Sequence, residues 1–468
     1  MIPMPLSQLA AACNGRLNGD DAVIAQVATD TRALSALTNA AETLFIALKG
    51  ENFDAHDHLQ QARDAGIRAA LVSRDVSIDG LSTIRVDNTE IALAQIATMI
   101  QSRRTNPVVA ITGSNGKTSV KTLTQAVLEV AGKTYATPGN RNNEIGMPLA
   151  VIAAPEDVQF AIYEMGTGKP GDISYLTQIA RPTVGLVNNV APAHMERMGS
   201  LQNIADTKAA VYDDLIPQGV AVINADDAFA PFFADRAHGH RVVRFGIQNA
   251  ADVTATDIVE DNDGSAFTLV TPQGQLPVRI QFPGLHNVLN ALAAAAIAFG
   301  LGVSLEDIGQ GLQNARQVQG RLVATQTPQG ATLVDDSYNA NPGSMAAAIR
   351  TLAQAARNEN REAWLVIGDM RELGDDALAM HEQIGRKAKE AGIDRLYALG
   401  DLSRGAALAF GDGAEVFESH ESLAAKLAAE LNPGVRVLVK GSRGSAMDRV
   451  VRAILPQDNK DNGGAHAA

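Results

Sequence analysis

The sequence predicts an α/β protein of three domains: a central doubly wound P-loop domain, a C-terminal open α/β (Rossmann-like) domain and a smaller N-terminal α/β domain. Three observations carry that expectation. The chain has 468 residues, more than one hydrophobic core organises. Short apolar runs alternate with amphipathic helical stretches along most of it. Polar segments interrupt the alternation at 101–107 and near 313–321. The expected domains are therefore 1–104, 105–315 and 316–457, followed by a polar, glycine-bearing tail, 458–468, expected to be disordered.

The opening MIPMPLSQLAAACNG lacks a basic segment followed by an apolar core, so it reads as a short amphipathic helix and no export is expected. Strands are expected at Thr43–Ala47, Ala69–Val72 and Ser82–Val86, with helices around Asp57–Ala65 and Ile91–Arg103. From Val108 the alternation becomes regular. Strands at Val108–Thr112, Phe160–Glu164, Thr183–Asn189 and Val220–Asn224 are separated by helices from Lys117, from Asp172 and near Ile204–Leu215. Apolar strands spaced by amphipathic helices suit a parallel sheet covered on both faces. Residues 251–282 change to two-residue alternation with turns, an antiparallel insertion, and an alanine-rich helix at 287–300 follows. Strands at Thr332–Asp335, Ala363–Gly368, Arg395–Leu399, Ala414–Val416 and Val435–Val439 then build a second open sheet. No internal repeat is visible.

Composition limits the function classes. With 46% hydrophobic and 19% charged residues the chain is an ordinary globular sequence. A formal net charge of −13 repels phosphate backbones at long range, so no nucleic-acid or anionic-membrane partner is expected. The lone cysteine, Cys13, excludes a disulfide framework and a multi-cysteine zinc site, and fits a reducing, cytoplasmic setting. The most apolar run, Ala291–Leu301, has about half the ~20 residues needed to cross a bilayer, so no membrane insertion is expected.

The chemistry starts at TGSNGKT, residues 112–118. An apolar strand, a glycine loop and a helix succeed one another there, so loop N–H groups and the helix dipole converge on one point suited to a triphosphate. Gly113, Asn115 and Gly116 shape the loop, Lys117 is placed to neutralise outer phosphates, and the Thr118 hydroxyl to bind magnesium, with Ser119 beside it. The general GxxxxGK[ST] pattern wants glycine where Ile111 stands, so this is a shorter variant. Glu164 ends a strand at the edge where open α/β sheets gather ligands, and reads either as a metal carboxylate or as a solvated strand end. His194 follows another strand at the same edge, as a metal partner or a structural histidine. By spacing alone Lys208 is an ordinary helix lysine.

Eight blocks taken together go further: TGSNGKTS, GNRNNEIG (139–146), EMG (164–166), NNVAPAHMERMGS (188–200), PGLHNVLNALAA (283–294), DDSYNANPGSM (335–345), GDMRELG (368–374) and KGSRGSAMD (440–448). They resemble the Mur ligases of bacterial cell-wall synthesis, in the family's order, from about residue 28 to 450. The GNRNNEIG and DSYNANP blocks are similar to those of members that add D-alanyl-D-alanine.

That resemblance implies a uridine-nucleotide domain, a central ATPase domain and a C-terminal domain that closes over ATP. It implies a monomer that joins D-alanyl-D-alanine to UDP-N-acetylmuramoyl-tripeptide through an acyl phosphate, using ATP and two Mg2+ ions. Lys117 would contact the outer phosphates; Thr118 and Glu164 would hold one magnesium, with His194 near a second. Lys208 matches a position where a lysine is carbamylated into a magnesium ligand. Asn287 and Asn290 fall where the family contacts adenine, Arg321 where it reaches the γ-phosphate and Asp336 where it reaches ribose. Asn143, Tyr338, Asn339, Asn341, Ser442 and Arg443 are expected substrate contacts. In the N-terminal domain, the Asp30–Thr31–Arg32 block and the run from Ala47 to His56, with Lys49, Asn52 and Asp54, look like the uridine-diphosphate pocket.

Overall fold

The structure, a computed structural model, describes residues 1–37, 39–192 and 195–455. The expected tail and His194 lie outside the described residues. The protein is mixed α/β in three units, as the sequence predicts.

The central sheet has six parallel strands, ordered Arg241–Phe245, Val220–Asn224, Val184–Val187, Val108–Thr112, Phe160–Glu164, Thr134–Ala136. Val108 and Ala110 face a core shared with helices Gly146–Ala153, Asp172–Ala180 and Leu201–Asp213. Val109 and Ile111 point the other way, against helices Lys117–Ala131, Leu285–Gly300 and Leu305–Asn314. Both faces are thus covered, which is why the strands read as unbroken apolar runs rather than alternating ones. The chain winds from Val108–Thr112 first to one side and then, at Val184–Val187, to the other. The strand order therefore reverses at the carboxyl ends of Val108–Thr112, Phe160–Glu164 and Val184–Val187, where such sheets leave a crevice.

The segment 251–282 is the expected antiparallel insertion, with strands Thr254–Glu260, Ser265–Thr271 and Gly274–Ile280. Two edge strands were not foreseen, Thr134–Ala136 and Arg241–Phe245. The first has only 3 residues, and the second carries Arg241 and Arg244, so neither shows the apolar run of a central strand. The polar run at 101–107 begins as the last turn of helix Thr89–Ser102, and Gln101 is buried where the Tyr163 hydroxyl donates to its Oε1.

The N-terminal sheet runs Arg16–Asn18, Ser82–Arg85, Ala69–Val72, Thr43–Ile46, Gln26–Ala28, with the first strand antiparallel. One face of it has a core of its own around Phe45, Leu59 and Val72, and the core of the other face is continuous with one side of the central unit: Leu93, Ile96 and Ile100 pack in the same cluster as Met147, Val151 and Leu176. The C-terminal sheet runs Val323–Gln326, Thr332–Asp336, Val435–Lys440, Glu362–Gly368, Arg395–Leu399, Ala414–Phe417. Its two faces have cores of their own, separate from the rest. No helix among the described residues is long and apolar enough to cross a membrane.

Candidate active site

The phosphate loop leaves the end of strand Val108–Thr112 and enters helix Lys117–Ala131 at Gly116, whose φ is +78°. A Cβ at Gly116 would sit 2.5 Å from Asn290 Oδ1 and 2.6 Å from Asn188 Nδ2, so only glycine fits this turn. The loop is held from below by the adjacent strand end. Asn115 N–H donates to Asn189 Oδ1 at 2.8 Å, Ser114 N–H donates to Asn189 O at 2.9 Å, and Asn188 Nδ2 donates to Asn115 O at 3.0 Å. No side chain caps the first turn of helix Lys117–Ala131, so its amides face the cavity. Lys117 Nζ folds back onto Gly113 O at 2.7 Å.

Glu164 has three side-chain partners at this edge. Its Oε2 accepts from Thr118 Oγ1 at 3.1 Å and lies 3.3 Å from Lys121 Nζ; its Oε1 accepts from Asn142 Nδ2 at 2.9 Å. Burial alone would push this carboxyl up, but Lys121, Lys117, Asn142 and Arg321 outweigh it and hold the group below its ordinary value. Glu164 is therefore an anion beside the Thr118 hydroxyl. Lys208 is 2% exposed on helix Leu201–Asp213, and no carboxylate among the described residues lies within ion-pair distance of it. Burial, then the charge of Lys117, pushes its amine well below the usual lysine range.

The C-terminal unit closes the cavity. Arg321 Nη2 donates to Thr118 Oγ1 at 3.2 Å, and its guanidinium lies 4.1 Å from the centre of the Tyr338 ring. Asn341 caps helix Pro342–Glu359 through Ser344 and also donates from Nδ2 to Asn115 Oδ1 at 2.6 Å. Asp336 accepts from Lys440 Nζ at 2.6 Å, and burial raises its carboxyl against that pull. Burial and the Lys440 and Arg350 charges push His286 down to about 4, which leaves a neutral imidazole on the wall beside Asn287 and Asn290.

A cavity of about 680 Å³ results, and it gathers most of the residues expected from sequence. Asn115, Gly116, Lys117, Thr118, Ser119, Asn143, Glu164, Asn287, Asn290, Arg321, Asp336, Tyr338, Asn339 and Asn341 all line it. Gly113 is the hinge behind the loop, with φ +152°. Ser442 is buried instead between Ala340 O and the Arg371 amide, so it shapes the loop below the cavity. Arg443 is exposed and reaches Tyr338 from outside at 5.9 Å.

The N-terminal residues form a separate group. Asp30 takes Arg32 in a two-pronged pair and caps the turn Thr31–Ala36. The main chain at Lys49 pairs antiparallel with that at Asp54, whose side chain caps Ala55–His58 and binds His56 Nδ1 at 2.6 Å. Together with Asn52 they follow the carboxyl ends of strands Gln26–Ala28 and Thr43–Ile46, one edge of the N-terminal sheet, and none lines the central cavity.

Sequence reasoning missed Lys121, Asn142, Asn188, Asn189, His286 and Lys440. Each lies inside or beside a block named above, yet only the folded chain turns it inward.

Among the described residues no cluster of three His, Cys, Asp or Glu side chains is placed to hold a metal alone. Magnesium is typically held by one or two protein oxygens together with substrate phosphates, and Thr118 with Glu164 supply such a pair next to the uncapped helix. A wall that attracts phosphate, covered by an arginine from a separate unit, belongs to an enzyme that spends a nucleoside triphosphate behind a closing domain. Residues 111–298 match the Mur ligase middle domain, and residues 320–443 the Mur ligase glutamate ligase domain. The chain is 42% identical, over 97% of its length and 99% of the relative, to the UDP-N-acetylmuramoyl-tripeptide–D-alanyl-D-alanine ligase of Escherichia coli K12. The Bacillus subtilis ligase of the same name is 32% identical over 97% of this chain and 99% of that one. Among solved structures, MurF from Acinetobacter baumannii superposes with a TM-score of 0.89 at 33% identity, covering 97% of this chain and 98% of that one. MurF ligase from Thermotoga maritima in complex with ADP gives 0.80 at 25% identity, covering 92% and 96%. The chain belongs to the Mur ligase family.

Proposed function

We propose that this chain is the ADP-forming ligase that joins D-alanyl-D-alanine to UDP-N-acetylmuramoyl-tripeptide, giving the pentapeptide precursor of peptidoglycan. Its similarity to ligases of that name runs almost end to end. The observation that carries the chemistry is the Arg321–Thr118 contact, which brings a C-terminal cation onto the phosphate loop above an anionic Glu164.

In this reading ATP lies along the uncapped helix, with Lys117 and Arg321 on its outer phosphates, Asn287 and Asn290 at the adenine and Asp336 at the ribose. The tripeptide carboxylate attacks the γ-phosphorus, ADP leaves, and an acyl phosphate forms. The D-alanyl-D-alanine amine then attacks the acyl carbon, loses a proton, and expels phosphate. Thr118 and Glu164 would hold magnesium, which when bound would supply a positive charge to screen the repulsion between carboxylate and triphosphate. Two ions are proposed, with His194 and Lys208 serving the second. The depressed Lys208 amine supports carbamylation, because only a neutral amine adds carbon dioxide.

Closure by the C-terminal unit keeps water from the acyl phosphate. Tyr338, Asn339, Asn341 and Arg443 stand nearest the incoming dipeptide, and Asn143 nearest the tripeptide. The 1–104 domain holds the uridine diphosphate at its own sheet edge through Thr31, Arg32, Lys49, Asn52 and Asp54. A monomer working in the cytoplasm completes the proposal. Product mass after incubation with ATP, magnesium, D-alanyl-D-alanine and the tripeptide nucleotide tests it: the pentapeptide nucleotide with one ADP per product supports it, and ADP release without a new amide overturns it.

A further inference from the structure

Lys121 stands one turn beyond Lys117 on the same helix, yet it is buried, at 6% exposed. Its Nζ has three partners: Thr137 O and Gly139 O at 3.0 Å each, and Glu164 Oε2 at 3.3 Å. Two of the ammonium's three donors are spent on the loop carbonyls, and its charge is paired with the carboxylate. A buried lysine so placed costs desolvation, and that cost is offset only by the partners it holds, because removing it would leave the buried Glu164 carboxylate and the two loop carbonyls without their cation.

The geometry points to Lys121 as a positioning residue that ties the 137–143 loop to the Glu164 carboxylate, so that the tripeptide-binding loop and the phosphate site are built as one unit. The loop continues from Gly139 through Asn140, whose side chain faces the Tyr338 phenol, to Asn142, which donates to Glu164 Oε1. Tyr338 in turn lies under Arg321, and Arg321 donates to Thr118, which donates to Glu164. The contacts form a closed ring, and Lys121 is the member that fastens the loop main chain. Its substitution therefore loosens the loop and releases Asn142 and Asn143 from the cavity wall, without removing a group that touches a substrate. This inference rests on the reading of that loop as the tripeptide side of the cavity.

The test compares Lys121→Met and Lys121→Arg in the full-length protein. Limited trypsin digestion without nucleotide follows cleavage after Arg141, within the loop. Expected is cleavage about tenfold faster in K121M at that site alone, with wild-type rate in K121R, and a KM for the tripeptide nucleotide raised about 10-fold or more while kcat falls less. Unchanged cleavage at Arg141, or acceleration at all trypsin sites alike, overturns the inference. Should K121M fail to fold, Lys121→Gln, which keeps a donor but no charge, is read in the same way. Digestion is independent of catalysis, so a wild-type protein that makes no amide overturns the proposed function and leaves this result standing.

Discussion

Arg321 and Thr118 are 203 residues apart in the chain and 3.2 Å apart in the fold, joined by a hydrogen bond from guanidinium to hydroxyl across two separately cored units. A charged donor reaching the phosphate loop only when the C-terminal unit is seated makes catalysis conditional on closure. Arg321→Ala is expected to lower kcat on the order of 10²-fold, and Arg321→Lys to restore little, because a lysine cannot both stack on Tyr338 and donate in a fork. A steady-state assay of phosphate release checks this, and a kcat within threefold of wild type sinks it.

Lys117→Ala removes the loop's own lysine, which folds back with its Nζ on Gly113 O. Ligation is expected to fall by roughly 10³-fold while circular dichroism and melting temperature stay near wild type, since the lysine's desolvation is not matched by an ion pair. Near-normal turnover by a folded variant contradicts the phosphate-site assignment.

Lys208→Met is expected to raise stability by about 1 kcal/mol in carbonate-free buffer, and to abolish ligation. The sign follows from the depressed amine. Between the folded value and the ordinary value of 10.5 the unfolded chain binds the extra proton, so wild-type stability rises with pH through that window. The advantage of the methionine variant is therefore largest at and below the folded value and shrinks as pH rises from there toward 10. Denaturant midpoints across pH measure it; a variant less stable than wild type at neutral pH argues for a partnered lysine.

Asn341 has two separable tasks, capping helix Pro342–Glu359 and donating to Asn115. Asn341→Ala should lose both, with about 1 kcal/mol of stability and a raised KM for ATP. Asn341→Asp keeps the cap but sets a carboxylate against Asn115 Oδ1, so only the KM should rise. Equal stability losses in the two variants would refute that separation.

The strand–loop–helix at Val108–Lys117 was legible because its signals are local: an apolar run, glycines and a lysine within ten residues. The inner strands of the central and C-terminal sheets were legible for the same reason, but the edge strands Thr134–Ala136, Arg241–Phe245 and Val323–Gln326 were not. What escaped was everything settled by long-range packing. Lys121 looks in sequence like any solvated helix lysine, and only the return of the 137–139 carbonyls turns it inward. Ser442 shows the converse, a residue in a conspicuous block whose hydroxyl is consumed by Ala340 and Arg371. The Asn341–Asn115 bond spans 226 residues, and no periodicity encodes such a meeting.

The N-terminal sheet has a core of its own on one face and shares the core of its other face with the central unit, whereas the C-terminal sheet keeps both cores to itself. Of the three pieces, then, only the last shares neither of its sheet cores with a neighbour. A gene fragment for residues 320–455 would keep both of its buried clusters intact, whereas a fragment for 1–104 would present Leu93, Ile96 and Ile100 to water. Modular reshuffling of substrates in such an architecture is therefore easier at the carboxyl end, and change at the amino end must come by substitution in place.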